Sequence, residues 1–286
     1  MNEILIIGAG PAGLAAAYEQ DKHQIKTTIV EAAKIPGGIA RTERYKNFRA
    51  DLGGHRFFTK NSEIQKIWQD VCKDDFLHRN RLSRIYYQKK FFDYPLKAGN
   101  VIRNLGLLET ALIMLSYVQV KLLPSKRPDN FEDWVISKFG KRLYLRFFKS
   151  YTEKVWGMSC RDISGDWAAQ RIKNLSMREA VRNALLNSNR KNGDVITSLI
   201  EQFHYPRLGP GMMWEKIIEQ LQHKDHHIHF SHKAVRLEHK NDLISRVVIQ
   251  TVNGEQDIHP EQCISTMPLS QLIQCLNPAP PAHILA

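Results

Sequence analysis

Six residues, Gly8-Ala9-Gly10-Pro11-Ala12-Gly13, have the types and spacing to hold a phosphate. They follow an apolar run, Ile4 to Ile7, and open an alanine-rich stretch that reads as a helix. A second short strand, Thr28 to Val30, ends in Glu31. Each part has a mechanical reason. Gly8 permits the tight turn off the strand. Gly10 lets backbone approach a pyrophosphate, and Gly13 lets helix and sheet pack closely. Pro11 and Ala12 begin the helix, whose first-turn N–H groups lack intrahelical partners and favour an anion. Glu31, roughly twenty residues on, can accept hydrogen bonds from a ribose. GxGxxG alone is weak. Strand, helix, strand and terminal acid in this order specify a dinucleotide site.

Two later glycine pairs extend the chemistry. Pro36, Gly37 and Gly38 prevent a helix and bring backbone close to a ligand. Gly38 is placed to meet the diphosphate from its other side, with Arg41 adding positive charge. In DLGGHRFFT, 51–59, Gly53 and Gly54 predict a bend with exposed N–H groups, from which His55 projects. His223, His226, His227, His229 and His232 invite a metal reading. Strand alternation puts His227 and His229 on one face and His226 on the other, and no cysteine or HExxH motif supports them. The expectation is no metal.

These residues need an α/β scaffold. The fold class read here is a Rossmann-type domain with a parallel sheet and an inserted, mainly helical domain. The expected divisions are 1–75 and 196–286 for the nucleotide domain and 76–195 for the insert. Asn61 or Ser62 caps a helix through 72 whose apolar face carries Ile64, Ile67, Trp68 and Val71. Residues 82–92 read as a hairpin turning at Gln88 to Lys90. The stretch 101–123 is the most apolar in the chain; Arg103, Asn104, Glu109, Gln119 and Lys121 interrupt it. It predicts one buried or docking helix rather than a membrane span. Asp129 is the expected cap of the next helix, followed by helices over 141–157, 166–174 and 176–188 and a loop at 189–194. Residues 203–221 run from a strand through a glycine–proline turn into a helix begun by Met212, Met213 and Trp214. Strands return over 226–252, with a turn at Asn253-Gly254. A buried strand, 262–269, ends in Ser265 and Thr266, where open α/β sheets place ligands. NPAPPAHILA shows no evident element.

The whole-chain numbers set limits. With 286 residues and 43% hydrophobic content the chain buries a sizeable core in one or two domains. Its four cysteines, Cys72, Cys160, Cys263 and Cys275, lack CxxC spacing and predict buried thiols in a reducing, cytoplasmic compartment. The start lacks the basic region of a signal peptide. A formal charge of +12 favours an anionic partner: a nucleotide-sugar, an acidic lipid surface or, last for want of any motif, nucleic acid.

Taken together, these residues resemble the FAD-dependent amine oxidase-like superfamily and, within it, look most like the UDP-galactopyranose mutases. GAGPAG with Glu31 and GGIART is the superfamily opening. DLGGHRFFT resembles the mutase loop whose histidine sits beside the isoalloxazine. YPLKAGN at 94–100 and SYTEKVWGMSC at 150–160 are narrower matches, and YPRLGPGMMW at 205–214 resembles a flavin-proximal stretch. The resemblance implies FAD as cofactor, held by the phosphate-loop residues, Glu31, Ala32, Gly38, Arg41, Gly53, Gly54 and His55, with the Val235 backbone meeting adenine. It implies His55 and Arg171 as catalytic residues, Arg171 binding a nucleotide-sugar diphosphate, and Tyr151 and Trp156 shaping a sugar pocket. The implied reaction is pyranose–furanose isomerisation through flavin N5. An oxidoreductase of amine oxidase or protoporphyrinogen oxidase type, or a non-catalytic nucleotide-binding subunit, are the alternatives. Members of the superfamily are usually longer at the C-terminus. The expectation is therefore an N-terminal portion that needs a homo-oligomer or a partner supplying the rest.

Overall fold

The computed structural model describes residues 4–93, 98–123, 128–171, 202–240 and 243–285. The helix expected over 176–188 and the loop at 189–194 lie outside them. Strand β1 (Ile4–Ile7) feeds helix α1 (Pro11–Lys22), then β2 (Thr27–Glu31). A hairpin of β3 (Thr42–Tyr45) and β4 (Phe48–Asp51), helix α2 (Ser62–Cys72) and β5 (Phe76–Asn80) follow. Next come the hairpin β6 (Arg84–Tyr87) and β7 (Lys90–Asp93) and helices α3 (Ala98–Leu105), α4 (Leu107–Leu122) and α5 (Phe131–Phe139). Helix α6 (Lys141–Leu143) runs through a π-helical stretch, Tyr144–Phe148, into α7 (Lys149–Trp156), with α8 (Gly165–Arg171) beyond. The chain then returns as β8 (Gln202–Pro206), α9 (Gly211–Gln222), β9 (His227–Phe230), β10 (Lys233–Lys240), β11 (Leu243–Thr251), β12 (Gly254–Ile258) and β13 (Gln262–Ser265). It closes with α10 (Leu269–Cys275), β14 (Leu276–Asn277) and α11 (Ala282–Leu285).

Two compact units result, one from residues 1–79 with 202–286, the other from 80–201. The first is an α/β Rossmann-type unit. Its four-stranded sheet, ordered β13-β1-β2-β9, is parallel throughout. All four residues of β1 are buried because both faces of the sheet are covered. Ile4 and Ile6 pack with Ile29 against Leu14 and Ala17 of α1, Val71 of α2, and Met213, Ile217 and Leu221 of α9. Leu5, Ile7 and Val30 face the other way, onto Ala234, Leu237, Val247 and Ile249. Those belong to a second sheet, ordered β12-β11-β10-β14. One strand of alternating side chains thus joins a helical layer to a β layer.

Asn61 caps α2, its Oδ1 accepting from Glu63 N–H at 2.8 Å and Ile64 N–H at 3.2 Å. Ile64 faces water rather than the core. The β3–β4 hairpin and β5, which pairs with the expected strand at 203, escape the sequence reading. Both are short and carry charge, so no alternation marks them. The tail expected to be featureless forms β14, paired with β10, and α11. Cys72 and Cys160 are buried as expected, whereas Cys263 and Cys275 are only half-buried.

In the second unit, Phe92, Phe131, Val135, Phe139, Tyr144, Phe147 and Ile163 form the core. The hairpin turns on Gln88 and Lys89, φ 47° and 60°, a two-residue turn tighter than expected. Asn130, not Asp129, caps α5: its Oδ1 accepts from Asp133 N–H at 2.9 Å. The single helix expected over 101–123 is broken. Gly106 takes φ 85°, which a side chain disfavours, and α3 and α4 bend there by 116°.

Candidate functional site

The carboxyl end of β1 builds the site. Gly8 N–H donates to Val30 O at 2.8 Å and takes φ 107°. A Cβ there would lie 2.5 Å from Thr266 Oγ1, whose hydroxyl donates to Ile7 O at 2.9 Å. Thr266, at the end of β13, therefore closes the floor of the turn. A Cβ at Gly13 would lie 1.9 Å from Gly8 O, so only glycine lets α1 sit this close to the strand. Gly10 is the N-cap and carries no capping side chain; Pro11 is half-buried and Ala12 exposed.

The second glycine loop lies on the first. Gly37 N–H donates to Ala9 O at 2.8 Å, and a Cβ at Gly38 would lie 3.2 Å from Gly10 Cα. Gly38 then opens a single 3-10 turn, Gly38–Ala40. Arg41 donates to Glu43, and more weakly to Gly38 O at 3.4 Å. Trp214 borders the same loop, its Cδ1 3.0 Å from a Cβ built on Gly37. It packs edge-on against Trp68, beside Phe57 and Phe76.

Glu31 is held at the tip of β2. Its Oε2 accepts from Ala9 N–H and its Oε1 from Ala33 N–H, each at 2.7 Å. A carboxylate has about four lone-pair sites, so capacity remains for hydroxyl donors. Ala32 beside it is exposed. Ser231 N–H donates to Ala33 O at 3.0 Å and His232 N–H to Glu31 O at 2.9 Å, which starts β10 beside the acid. In β10, Ala234 pairs with Ile249 and Arg236 with Val248, leaving Val235 as the extra residue of a β-bulge. Bulges of this kind free backbone groups next to sites.

The histidine loop follows β4. Gly53 makes the bend, but its N–H donates to Asp51 O at 2.9 Å and so is not exposed for a ligand as expected. A Cβ at Gly53 or Gly54 would meet nothing within 4 Å. His55 is half-buried and folds back, its Nε2 donating to Leu52 O at 2.9 Å. Asp51 accepts from Thr42 Oγ1 at 3.1 Å and from the Tyr205 hydroxyl; burial first, then that bond, pushes the Tyr205 phenol up. Gly211 N–H donates to Thr42 Oγ1 at 3.0 Å, tying the start of α9 to this hairpin. Sequence reading missed this network, since nothing in the spacing of Thr42, Asp51 and Tyr205 joins them.

His55 belongs to the first unit and Arg171, the last residue of α8, to the second; the Arg171 side chain lies outside the described residues. Tyr151 is exposed, and Trp156 packs edge-on against Trp167 at 4.8 Å. Of the histidines over 223–232, His229 and His232 pack with ring centroids 5.2 Å apart. His226 is buried, Nδ1 accepting from Thr27 N–H at 3.2 Å and facing the Thr27 hydroxyl at 2.8 Å. Burial holds its pKa below the usual value, against the pull of Asp21.

Two features fit a dinucleotide here. The glycines form a cradle that side chains would fill. Trp214 Nε1 and Ser265 Oγ are buried with no hydrogen-bond partner among the described residues. Buried donors without partners are rare and call for a water or a ligand. Ser265 ends β13 beside the turn, and Trp214 lies against the second glycine loop.

A family model described as an NAD(P)-binding Rossmann-like domain matches residues 6–71. A crystal structure of reduced UDP-galactopyranose mutase superposes with a TM-score of 0.76 at 23% identity, covering 97% of this chain and 58% of that one. The chain has the fold of the FAD/NAD(P)-binding oxidoreductases. At that identity the superposition speaks for the fold alone. Among curated relatives of this dinucleotide-binding fold, an L-amino-acid oxidase of Crotalus adamanteus is 25% identical over 280 residues, 89% of this chain and 48% of that protein. A dTDP-fucopyranose mutase of Escherichia coli is 28% identical over 173 residues, 57% of this chain and 44% of that protein. The chain spans about half the length of the curated relatives it matches. No single described helix is long and apolar enough to cross a membrane.

Proposed function

We propose that the protein is an FAD-dependent enzyme that interconverts the pyranose and furanose forms of a nucleotide-sugar. The observation that carries the cofactor half of this reading is the cradle of Gly8, Gly10 and Gly38 with Glu31 at its rim and two unpartnered donors beside it. The likeness to a dTDP-fucopyranose mutase supports the substrate half.

When bound, a flavin supplies the electron-pair chemistry at the sugar's reacting carbon. The chain's own residues bind and orient. Gly10, Pro11, Ala12 and Gly13 offer the diphosphate a helix N-terminus, and Gly38 with Arg41 closes over it. Glu31 accepts from the ribose, Ala32 flanks it, and the bulged Val235 backbone meets adenine. Gly53 and Gly54, with open space around them, would border the ring, and His55, held by Leu52 O, would orient its flavin side. Arg171 binds the diphosphate of the nucleotide-sugar through charge-assisted hydrogen bonds. A second reading, an amine-oxidizing flavoenzyme, draws on the longer alignment with the L-amino-acid oxidase.

The test is spectroscopic. The purified chain, supplied with FAD, is expected to show a flavin spectrum that dithionite bleaches and that UDP-galactose or a dTDP-hexose perturbs. Hydrogen peroxide release with amino acids and no response to nucleotide-sugars would replace the mutase reading with the oxidase one. A chain that stays colourless with added FAD would end both and leave a nucleotide-binding subunit.

A further inference from the structure

Helix α4 buries Ile113 and Tyr117 but leaves a second set of apolar side chains in water. A helix bordering water normally keeps its apolar stripe inward and its polar residues outward. Here the inward side also carries polar groups. Glu109 accepts from Arg142 at 2.7 Å and Arg146 at 3.1 Å, which hold its carboxyl below the usual range. Ser116 Oγ accepts from Arg142 N–H at 3.1 Å. Only Ile113 and Tyr117 are buried. The outward side carries Leu108, Leu115, Val118 and Leu122, spaced as one helical stripe and 77%, 64%, 45% and 75% exposed, with Leu107 at its start. Gln119 is exposed at its edge; an apolar face of this length in water marks an interaction surface.

Composition says what it meets. The stripe holds leucine and valine and lacks the Tyr, Trp and Arg anchors that carry protein–protein contacts. Its flanking charges are basic: Arg103 near the end of α3 and, in the last turn of α4, Lys121, whose Nζ donates to Ser137 O at 3.0 Å at the exposed edge and would exchange that bond for a phosphate. Glu109, the one acid in the two helices, is turned inward and neutralised. The chain as a whole carries +12. By length and composition α3 and α4 together suit a membrane, but their 116° bend at Gly106 prevents a straight crossing. An apolar stripe flanked by cations on a helix of this kind is the pattern of one that lies in a lipid interface.

We propose that α3 and α4 seat this unit on an anionic lipid surface, the α4 leucines entering the acyl boundary and Arg103 and Lys121 meeting the phosphates. The proposal is independent of the flavin reading. It is tested with the full chain and extruded vesicles of phosphatidylcholine, with and without 30 mol% phosphatidylglycerol, roughly the charge of an acidic leaflet. Co-sedimentation is expected with the anionic vesicles, weaker in high salt. The double variant Leu115→Gln and Leu122→Gln is expected to lose it about tenfold with its circular dichroism and melting unchanged, while Leu243→Gln, an exposed leucine of the other unit, retains it. Equal partition of the double variant and the wild type would overturn the proposal. So would equal binding to neutral vesicles, or no binding by a chain whose self-association, read by sedimentation equilibrium, is abolished by the double variant. That last result would assign the face to a second copy.

Discussion

Two apolar segments of this chain meet different ends. Ile4–Ile7 is covered on both sides, by helices on one and a second sheet on the other. Leu107–Leu122 keeps five leucine and valine side chains in water, buries Ile113 and Tyr117, and pairs its half-buried Glu109 with two arginines. Both are short and both are bounded by glycine. The difference lies in what each meets. A strand between two parallel neighbours is covered on both faces, by α1 of its own βαβ unit and by α2, α9, β10 and β11 from farther along the chain. A helix on a mainly helical insert meets only the neighbours its unit supplies: they bury Ile113 and Tyr117, and Arg142 of α6 and Arg146 of the π-helical stretch pair with Glu109, while the leucines stay outside. Apolarity states that a face needs cover and leaves the cover unnamed.

The sharpest way to break the first segment is Gly13→Ala. Its methyl would enter Gly8 O, so α1 must shift off the strand. A loss of about 3 kcal/mol, near the upper end for overpacking, is expected in urea unfolding, along with loss of FAD retention. Glu31→Gln comes next. It removes one charged acceptor from the Ala9 and Ala33 N–H groups and from a ribose, and should weaken FAD binding by about 2 kcal/mol, the range for hydrogen bonds to charged groups. Trp214→Phe keeps an aromatic ring against Trp68 and removes the unpartnered N–H. FAD affinity should fall by about 1 kcal/mol while the ligand-free chain, relieved of a buried donor, melts no lower than expected from the smaller ring.

His226 gives a pH test of the same sheet. Its pKa is lowered by folding, so the folded state favours the neutral ring. Stability is then fully present above the unfolded value, about 6.5, and is lost as pH falls through the folded value, because the unfolded chain binds the proton first. The melting temperature should drop by a few degrees between pH 8 and 5.5, and His226→Gln should flatten that slope. The smallest effect belongs to the second segment. Leu115→Gln with Leu122→Gln should change unfolding free energy by less than about 0.5 kcal/mol, as expected of exposed positions. A larger loss would show that the stripe is covered in the free chain and would erase the contrast.

Legibility in the sequence followed the range of the forces involved. The turn at Gly8, the Asn61 cap and the turn after Tyr87 are set by residues within a few positions of each other, and each could be read from spacing. The break at Gly106 had a local cause too, but an apolar run on both sides hid it. Asn130 took the cap from Asp129 by a one-residue difference that spacing does not resolve. The β5–β8 pairing joins strands more than a hundred residues apart, so the sequence shows a strand at 203 but not the β5 partner it meets.

The sequence by itself determined the phosphate loop, the parallel unit around it and the acid at its rim. Those depend on backbone sterics and on period-two burial, which act along the chain. Only the tertiary structure decided that Trp214 and Ser265 would hold unpartnered donors by the loop, that Val235 would bulge and that α4 would show its leucines to water. Each of these depends on which distant groups arrive to meet a side chain, and no local pattern carries that information.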